Sequence, residues 1–483
     1  MFARWAARAA VVLSRYFFSY DETLSAWHRL QGASTPLTPR ARMAWLLMRL
    51  AGLFLHLPRL AEQVRVSRPL MGYSGELLHL RLNRVFDMPE VVVAPHRPAT
   101  VNVLVPGFSV DTISAGFFGV FALARQLAVG GLHTRLVLFD NFAFYEDQFR
   151  AALKVTPGLT DLLEKVELAY IGAREKPLQV SAQDVAVATV WYSAYFAEKI
   201  RVACGARRFL YLVQDYEPAF HPHGSQFVLA HASYELPAIP IFSTRVLRDD
   251  FTARGLYPGQ EWQDWCCFDN AIVRAPNVAA ALAHRRATVT RRFVFYSRPG
   301  VDRNMFDLGA LAIIEACRQG VFDNGRNWKF FGMGIGMLEI YLNSSTKLEQ
   351  LPRMSLDEYV QALSGFDVGL SLMASAHPSI TPVDLAAAGV PVVTNSFGVK
   401  QASYFAAISP NIICAGPLLE DLVAALREAV RRSEDMEARL HGAEVDFPQD
   451  WDQTWTKQHR EFLARSVAQA RAPAAAALEP AHD

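Results

Sequence analysis

From about residue 100 the chain alternates short apolar runs with longer segments of helical period. "ATVNVLVPGF" is a β-rich run that stops at Pro106-Gly107, as a buried parallel strand does. The helical pattern "AGFFGVFALARQLAVGG" follows, ends on Gly130-Gly131, and gives way to the strand "TRLVLF", which completes a βαβ opening. Further strands are predicted at "DVAVATVW", "RFLYLVQ" and "AIPIFST". The stretch from about 255 to 290 breaks this rhythm with Pro258-Gly259, a Trp/Cys cluster and "RAPNVAAA". A second series then begins with the strand "RRFVFYSRPG", the helix "DLGALAIIEACRQG", and "WKFFGMGIG", a strand running into glycines. The helix "SLDEYVQALSGFD" opens with Ser355 and Glu358 at capping-box spacing, and the strands "VGLSLMAS" and "VPVVTN" close the series.

Two successive α/β series predict two doubly wound, Rossmann-like domains facing each other across a cleft. The expected boundaries are 1–95 for a helical N-terminal extension, 96–285 for the first α/β domain and 286–445 for the second. A C-terminal helix over 446–470 packs back on the first domain, and 471–483 is a low-complexity, disordered tail. A length of 483 residues agrees with more than one core.

The leading segment has its own composition. Residues 1–60 carry eight arginines, no lysine, and only Asp21 and Glu22 as acids. Arg42, Arg49 and His56 recur every seven residues on an otherwise apolar helix, and Arg49 interrupts the apolar run short of a membrane span. No small-residue cleavage site follows, so a secretory signal is not expected. Two pictures fit these residues: interfacial association with an anionic membrane surface, or two helices packed on the body. The first would place the protein in the cytoplasm, peripheral on the inner face of the cell membrane.

Charge adds little elsewhere. With 48 basic against 47 acidic residues, the chain lacks the basic excess of a nucleic-acid binder. Five scattered cysteines without a CxxC pair argue against a disulfide framework or a zinc site.

In parallel sheets ligands lie beyond the carboxyl ends of the strands, so the residues just after each strand carry the candidate chemistry. On the acceptor side these are Asp111, Ser114, Gly116 and Gln214, with Asp215 and Glu217 as acceptor-orienting or basic groups. Ser297, Arg298, Arg303 and Gly334 open the second domain's site. Arg298 and Arg303 flank a Pro-Gly turn, and guanidinium forks suit phosphate oxygens. The stretch "SAHPSITPVDLAAAGVPVVTN" adds His377, Ser379, Thr381 and Asp384. Thr381 to Asp384 reads as a capping box with proline at the first helical position, and the helix amides would face the same anion. Asp384 could also meet a ribose-type hydroxyl. Asp450-Trp451-Asp452 lies past the α/β series, where tryptophan packing explains it better than a metal does.

Three stretches, "HPSITPVDLAAAGVPVVTN", "YSRPGVDRN" and "QDYEPAF", together resemble the WsaF-type rhamnosyltransferases of bacterial surface-glycan assembly, relatives of the family 4 glycosyltransferases with the GT-B fold. The likeness covers about residues 100–400. It implies a nucleotide-sugar donor, dTDP-L-rhamnose, held by the C-terminal domain, and a glycan or lipid-linked glycan acceptor in the cleft. It also implies no metal or other cofactor, and retention at the anomeric carbon. Arg298 and Arg303 stand where that fold binds the diphosphate, and Asp384 where the family 4 enzymes carry the second glutamate of an E-x7-E motif. The first glutamate's position is Ala376 here, so contacts to the transferred sugar fall to His377 or Ser379. Two other classes fit the same residues: a nucleotide-sugar epimerase on the same fold, and an inactive module that binds glycan or a partner enzyme.

Overall fold

The structure is a computed structural model. It describes residues 85–473 apart from 109–114, 141–143, 155, 173, 175, 258–265 and 335–339, and in the leading region only positions 39, 42, 43 and 46. The membrane-facing expectation for residues 1–60 and the acceptor-side positions Asp111 and Ser114 lie outside the described residues. Contacts divide the chain into Met1–Asn83 and Arg84–Asp483, and everything below concerns the second unit.

Its first sheet runs in the order β4-β3-β2-β6-β7-β8-β9. The strands are β2 Val101–Val105, β3 Thr134–Leu138, β4 Glu167–Tyr170, β6 Val185–Ala188, β7 Phe209–Val213, β8 Ala238–Ser243 and β9 Cys266–Phe268. All neighbours pair parallel. Helices cover both faces, so the inner strands are buried throughout. Because side chains alternate along a strand, each strand feeds two cores. Val101, Val103, Val105, Leu210 and Leu212 enter one, and Leu104, Phe209, Tyr211 and Val213 the other. A small parallel pair, β1 Val91–Val93 with β5 Leu178–Val180, stands beside this sheet.

The second sheet has the order β12-β13-β11-β10-β14-β15-β16. It comprises β10 Thr290–Tyr296, β11 Asn327–Met333, β12 Ile340–Tyr341, β13 Lys347–Gln350, β14 Val368–Leu370, β15 Val392–Asn395 and β16 Ile412–Ala415. Only the β12–β13 pair is antiparallel among the described residues. The same alternation sends Phe293 and Phe295 to one core and Val294 to the other.

Two crossings join the domains. The first leaves β9 through Asn270 and Ile272; the second returns by Pro448, whose carbonyl accepts from Ile272 N at 2.9 Å. The returning chain ends in the helix Lys457–Arg471, whose Phe462, Leu463, Val467 and Ala470 complete a core of the first domain. Within this crossing Asp450 caps Gln453 N at 2.8 Å, Asp452 pairs with Arg125 at 2.7 Å, and Trp451 is buried. The two carboxylates of the D-x-D thus serve a helix cap and an ion pair. No group of metal-ligating side chains occurs among the described residues, and no helix there is long and apolar enough to cross a membrane.

Candidate active site

The loop after β14, Ser375 to Ser379, leaves the second domain and meets the carboxyl ends of β7 and β8. Ser375 Oγ donates to Asp215 Oδ1, which also accepts from Tyr216 N at 2.9 Å. His377 N donates to Ser375 Oγ at 2.9 Å, so a backbone amide polarises the hydroxyl that holds the carboxylate. Ala376 fills a core of the first domain. The imidazole of His377 accepts from Ser379 N at Nδ1, 3.1 Å away, which places the ring proton on Nε2, 3.4 Å from Ser243 Oγ. That return of the Ser379 amide needs a tight bend, and Ser379 adopts a left-handed φ of 65°. Such a backbone in a non-glycine residue marks places where the surroundings impose a conformation, functional loops among them.

Arg303 comes from the turn after β10. Its Nε lies 3.8 Å from Asp215 Oδ2 and has no hydrogen-bond partner, although the atom is shut from solvent. The guanidinium carbon stands 4.3 Å over the Phe220 ring of the first domain. Neither Asp302 nor Asp307 ion-pairs with it. Arg298 makes one long contact, Nη1 to Tyr296 OH at 3.4 Å. Both guanidinium groups thus retain donor capacity at the cleft. Ser297 Oγ, beside them, is buried and unpartnered. Gly334 touches the same turn: a Cβ there would lie 1.9 Å from the Ser297 carbonyl oxygen, so only glycine fits.

Burial sets the charge states. The Glu217 carboxyl rises to about 8, first because it is buried and further because Asp215 stands nearby, although Trp191 N donates to it at 2.6 Å. Asp215 rises for the same first reason, opposed by the Ser375 hydroxyl and by Arg303. His377 drops to about 3 through burial, with the charges of Lys400 and Arg303 adding to it, so the ring is neutral. Lys400 is fully buried, falls to about 8, and donates to Met373 O at 2.9 Å. The site therefore combines a carboxylate, a neutral buried imidazole whose N–H faces Ser243, and three cations.

Three expectations are corrected. Thr381 is not a cap: the helix Thr381–Ala387 takes Ile380 as N-cap without a side-chain bond, because the bend at Ser379 starts the helix earlier. The amides of Val383 and Asp384 are both taken by the Ile380 carbonyl, so this short helix does not present them to an anion. Asp384 is engaged elsewhere as well. One oxygen accepts from Val273 N and the other from Tyr359 OH, each at 3.0 Å, which ties the interdomain crossing to the helix. On the first-domain side, Gly116 lies against the carboxamide of Gln214, where a Cβ would stand 3.4 Å from its Oε1.

Ser375, Phe220, Lys400 and Tyr359 belong to these contacts and were not singled out by sequence. Ser375 and Phe220 sit inside the quoted motifs, but their partners lie in the opposite domain. Nothing in "NSFGVK" marks its lysine as buried.

Two facing doubly wound domains, with the last helix returned to the first and the cations gathered at the strand ends between them, make the GT-B architecture. The chain belongs to the WsaF family. The WsaF N-terminal domain matches residues 100–245 and the WsaF C-terminal domain residues 291–427. The O-antigen biosynthesis protein RfbC of Myxococcus xanthus is 32% identical over 349 residues, which are 70% of this chain and 25% of RfbC. The chain thus spans about a quarter of that relative's length. Among solved structures, WaaG, a glycosyltransferase involved in lipopolysaccharide biosynthesis, aligns at 15% identity over 77% of this chain and 99% of its own, with a TM-score of 0.44. Anabaena HepE in complex with UDP and glucose aligns at 12% identity over 77% and 100%, with a TM-score of 0.49. Both are distant.

Proposed function

We propose that this chain is a glycosyltransferase that moves L-rhamnose from dTDP-L-rhamnose to a growing bacterial surface glycan, with retention and without a metal. The observation that carries the reading is Arg303, a buried-edge guanidinium with an unpartnered Nε, held by Phe220 and Asp215 of the facing domain. Membership of the WsaF family supports the reaction class, and the three motifs support the donor. The name of RfbC supports a surface glycan as destination.

In this reading Arg298 and Arg303 take the diphosphate oxygens and supply the counter-charge that grows as the sugar–phosphate bond breaks. The acceptor oxygen bonds to the anomeric carbon on the face that the diphosphate leaves, and its proton passes to the departing phosphate oxygen. Asp215 holds the acceptor hydroxyl on that same face of the anomeric carbon. His377, neutral and protonated at Nε2, gives its N–H to a hydroxyl of the transferred sugar.

Calorimetric titration with a panel of nucleotide-sugars tests the proposal. Tightest binding of dTDP-L-rhamnose is expected. A preference for UDP- or GDP-sugars would overturn the donor, and no binding of any of them would overturn the transferase reading itself.

A further inference from the structure

Two segments of the second domain reach into the first. The loop after β14 brings Ala376 and the turn after β15 brings Val399, and both join the first-domain core fed by Tyr211 and Val213. The turn is closed on itself: Phe397 and Lys400 exchange backbone hydrogen bonds at 2.9 Å in each direction, with Gly398 and Val399 at the tip. Gly398 lies against the first domain, where a Cβ would stand 3.2 Å from Asp250 Oδ1.

Lys400 connects the two segments. Its ammonium is 0% exposed and donates to Met373 O at 2.9 Å, at the start of the loop that carries Ser375 and His377. The next residue, Ala374, donates its amide to Arg303 O at 2.7 Å, and Ser375 Oγ then donates to Asp215. One lysine thus backs the chain of contacts that sets Arg303 beside Asp215.

Stability does not account for this lysine. A buried ammonium is costly, and here burial drives it down to about 8. The loop also has another anchor: Asn395 Nδ2 donates to Met373 O at 3.2 Å, and Asn395 Oδ1 accepts from Met373 N at 2.8 Å. What the charge does supply is electrostatic. With Arg303 it opposes the upward push of burial on the Asp215 carboxyl and keeps a proton off the His377 ring.

We propose that Lys400 is a positioning residue for the transfer reaction: it locks the loop 373–379 to the turn 397–400, so that both enter the first domain as one piece, and adds its charge to that of Arg303 beside Asp215. The reaction it serves rests on the transferase reading; the lock itself does not.

Lys400→Met removes the charge and the hydrogen bond and keeps an unbranched chain. Three measurements on the full chain separate positioning from mere support. The melting temperature should equal or exceed the parent's, because an apolar chain of similar volume replaces a buried charge. Amide exchange, followed by mass spectrometry, should quicken about tenfold or more, the scale of a lost hydrogen bond, at Met373, Ala374, His377 and Ser379. It should quicken across the domain boundary too, at Tyr216, whose amide the Asp215 carboxylate holds. Turnover should fall about 10²-fold, the cost of a small misplacement of reacting groups, with a smaller change in donor KM.

A lowered melting temperature with exchange raised throughout the molecule would make Lys400 a structural residue and overturn the proposal. Exchange or turnover equal to the parent's would overturn it as well. Failure of the transferase reading looks different: the exchange pattern holds, but the parent protein turns over no nucleotide-sugar.

Discussion

Glu217 sits one residue beyond the Asp215–Tyr216 pair and is wholly buried, yet it carries a carboxyl that titrates near 8 in place of 4.5. Because the folded value is raised, the folded state keeps a proton between those limits that the unfolded chain has already released. Its contribution to stability is therefore complete below pH 4.5 and is lost as pH rises through about 8. Asp384 has the same sign over 3.8 to about 7. His377 has the opposite sign: its contribution is complete above 6.5 and is lost as pH falls toward about 3. Glu217→Gln keeps an oxygen for Trp191 N and has no charge to desolvate. Its melting temperature should exceed the parent's at pH 8.5 and match it near pH 5. A variant less stable than the parent at both pH values would mean that Glu217 is held ionised. At this scale, the strand-end positions of Asp215, Arg303 and His377 could be read from the chain, because parallel strands present their carboxyl ends to ligands. Their partners could not: Ser375 and Asp215 are 160 residues apart, and only the approach of two domains pairs them.

Among the elements, the turns that leave β10 and β11 press backbone on backbone at Gly334 and Ser297. A methyl group at Gly334 has no space beside the Ser297 carbonyl, so Gly334→Ala must part the two turns. The expected cost is roughly 1–3 kcal/mol, the range for overpacking a filled site. Nucleotide binding should fall with it, because Arg298 moves with the same turn. Thermal melting and titration with dTDP check both effects; a variant with the parent's melting temperature and affinity would show that the turns separate freely. Helix starts show how far local sequence reaches. Ser355 and Glu358 form their capping box because every group involved is local, with Glu358 N 3.3 Å from Ser355 Oγ. Thr381 and Asp384 have the same spacing but do not form one. A left-handed residue upstream moves the helix start, and Val273 and Tyr359, distant in sequence, claim the carboxylate.

For the whole molecule, two doubly wound sheets were legible because strands buried on both faces read as continuous apolar runs. The peripheral strands were not. β5, β9, β12 and β13 have two to four residues each, too few for a periodicity to declare itself. Strand order was equally hidden, since it depends on which strands come together and not on any one run. What the assembled molecule adds is electrostatic: Arg303 from one domain faces Asp215 and Phe220 from the other, and Arg298, from the same turn, contacts only Tyr296. In the proposed reaction this charge meets negative charge developing on a departing diphosphate. Steady-state kinetics of Arg298→Ala and Arg303→Ala, with the sugar donor varied at saturating acceptor, test that claim most directly. Removing either arginine should lower turnover by about 10²–10³, on the scale of a lost oxyanion donor, with a smaller change in donor KM. Turnover equal to the parent's in both variants would contradict the account.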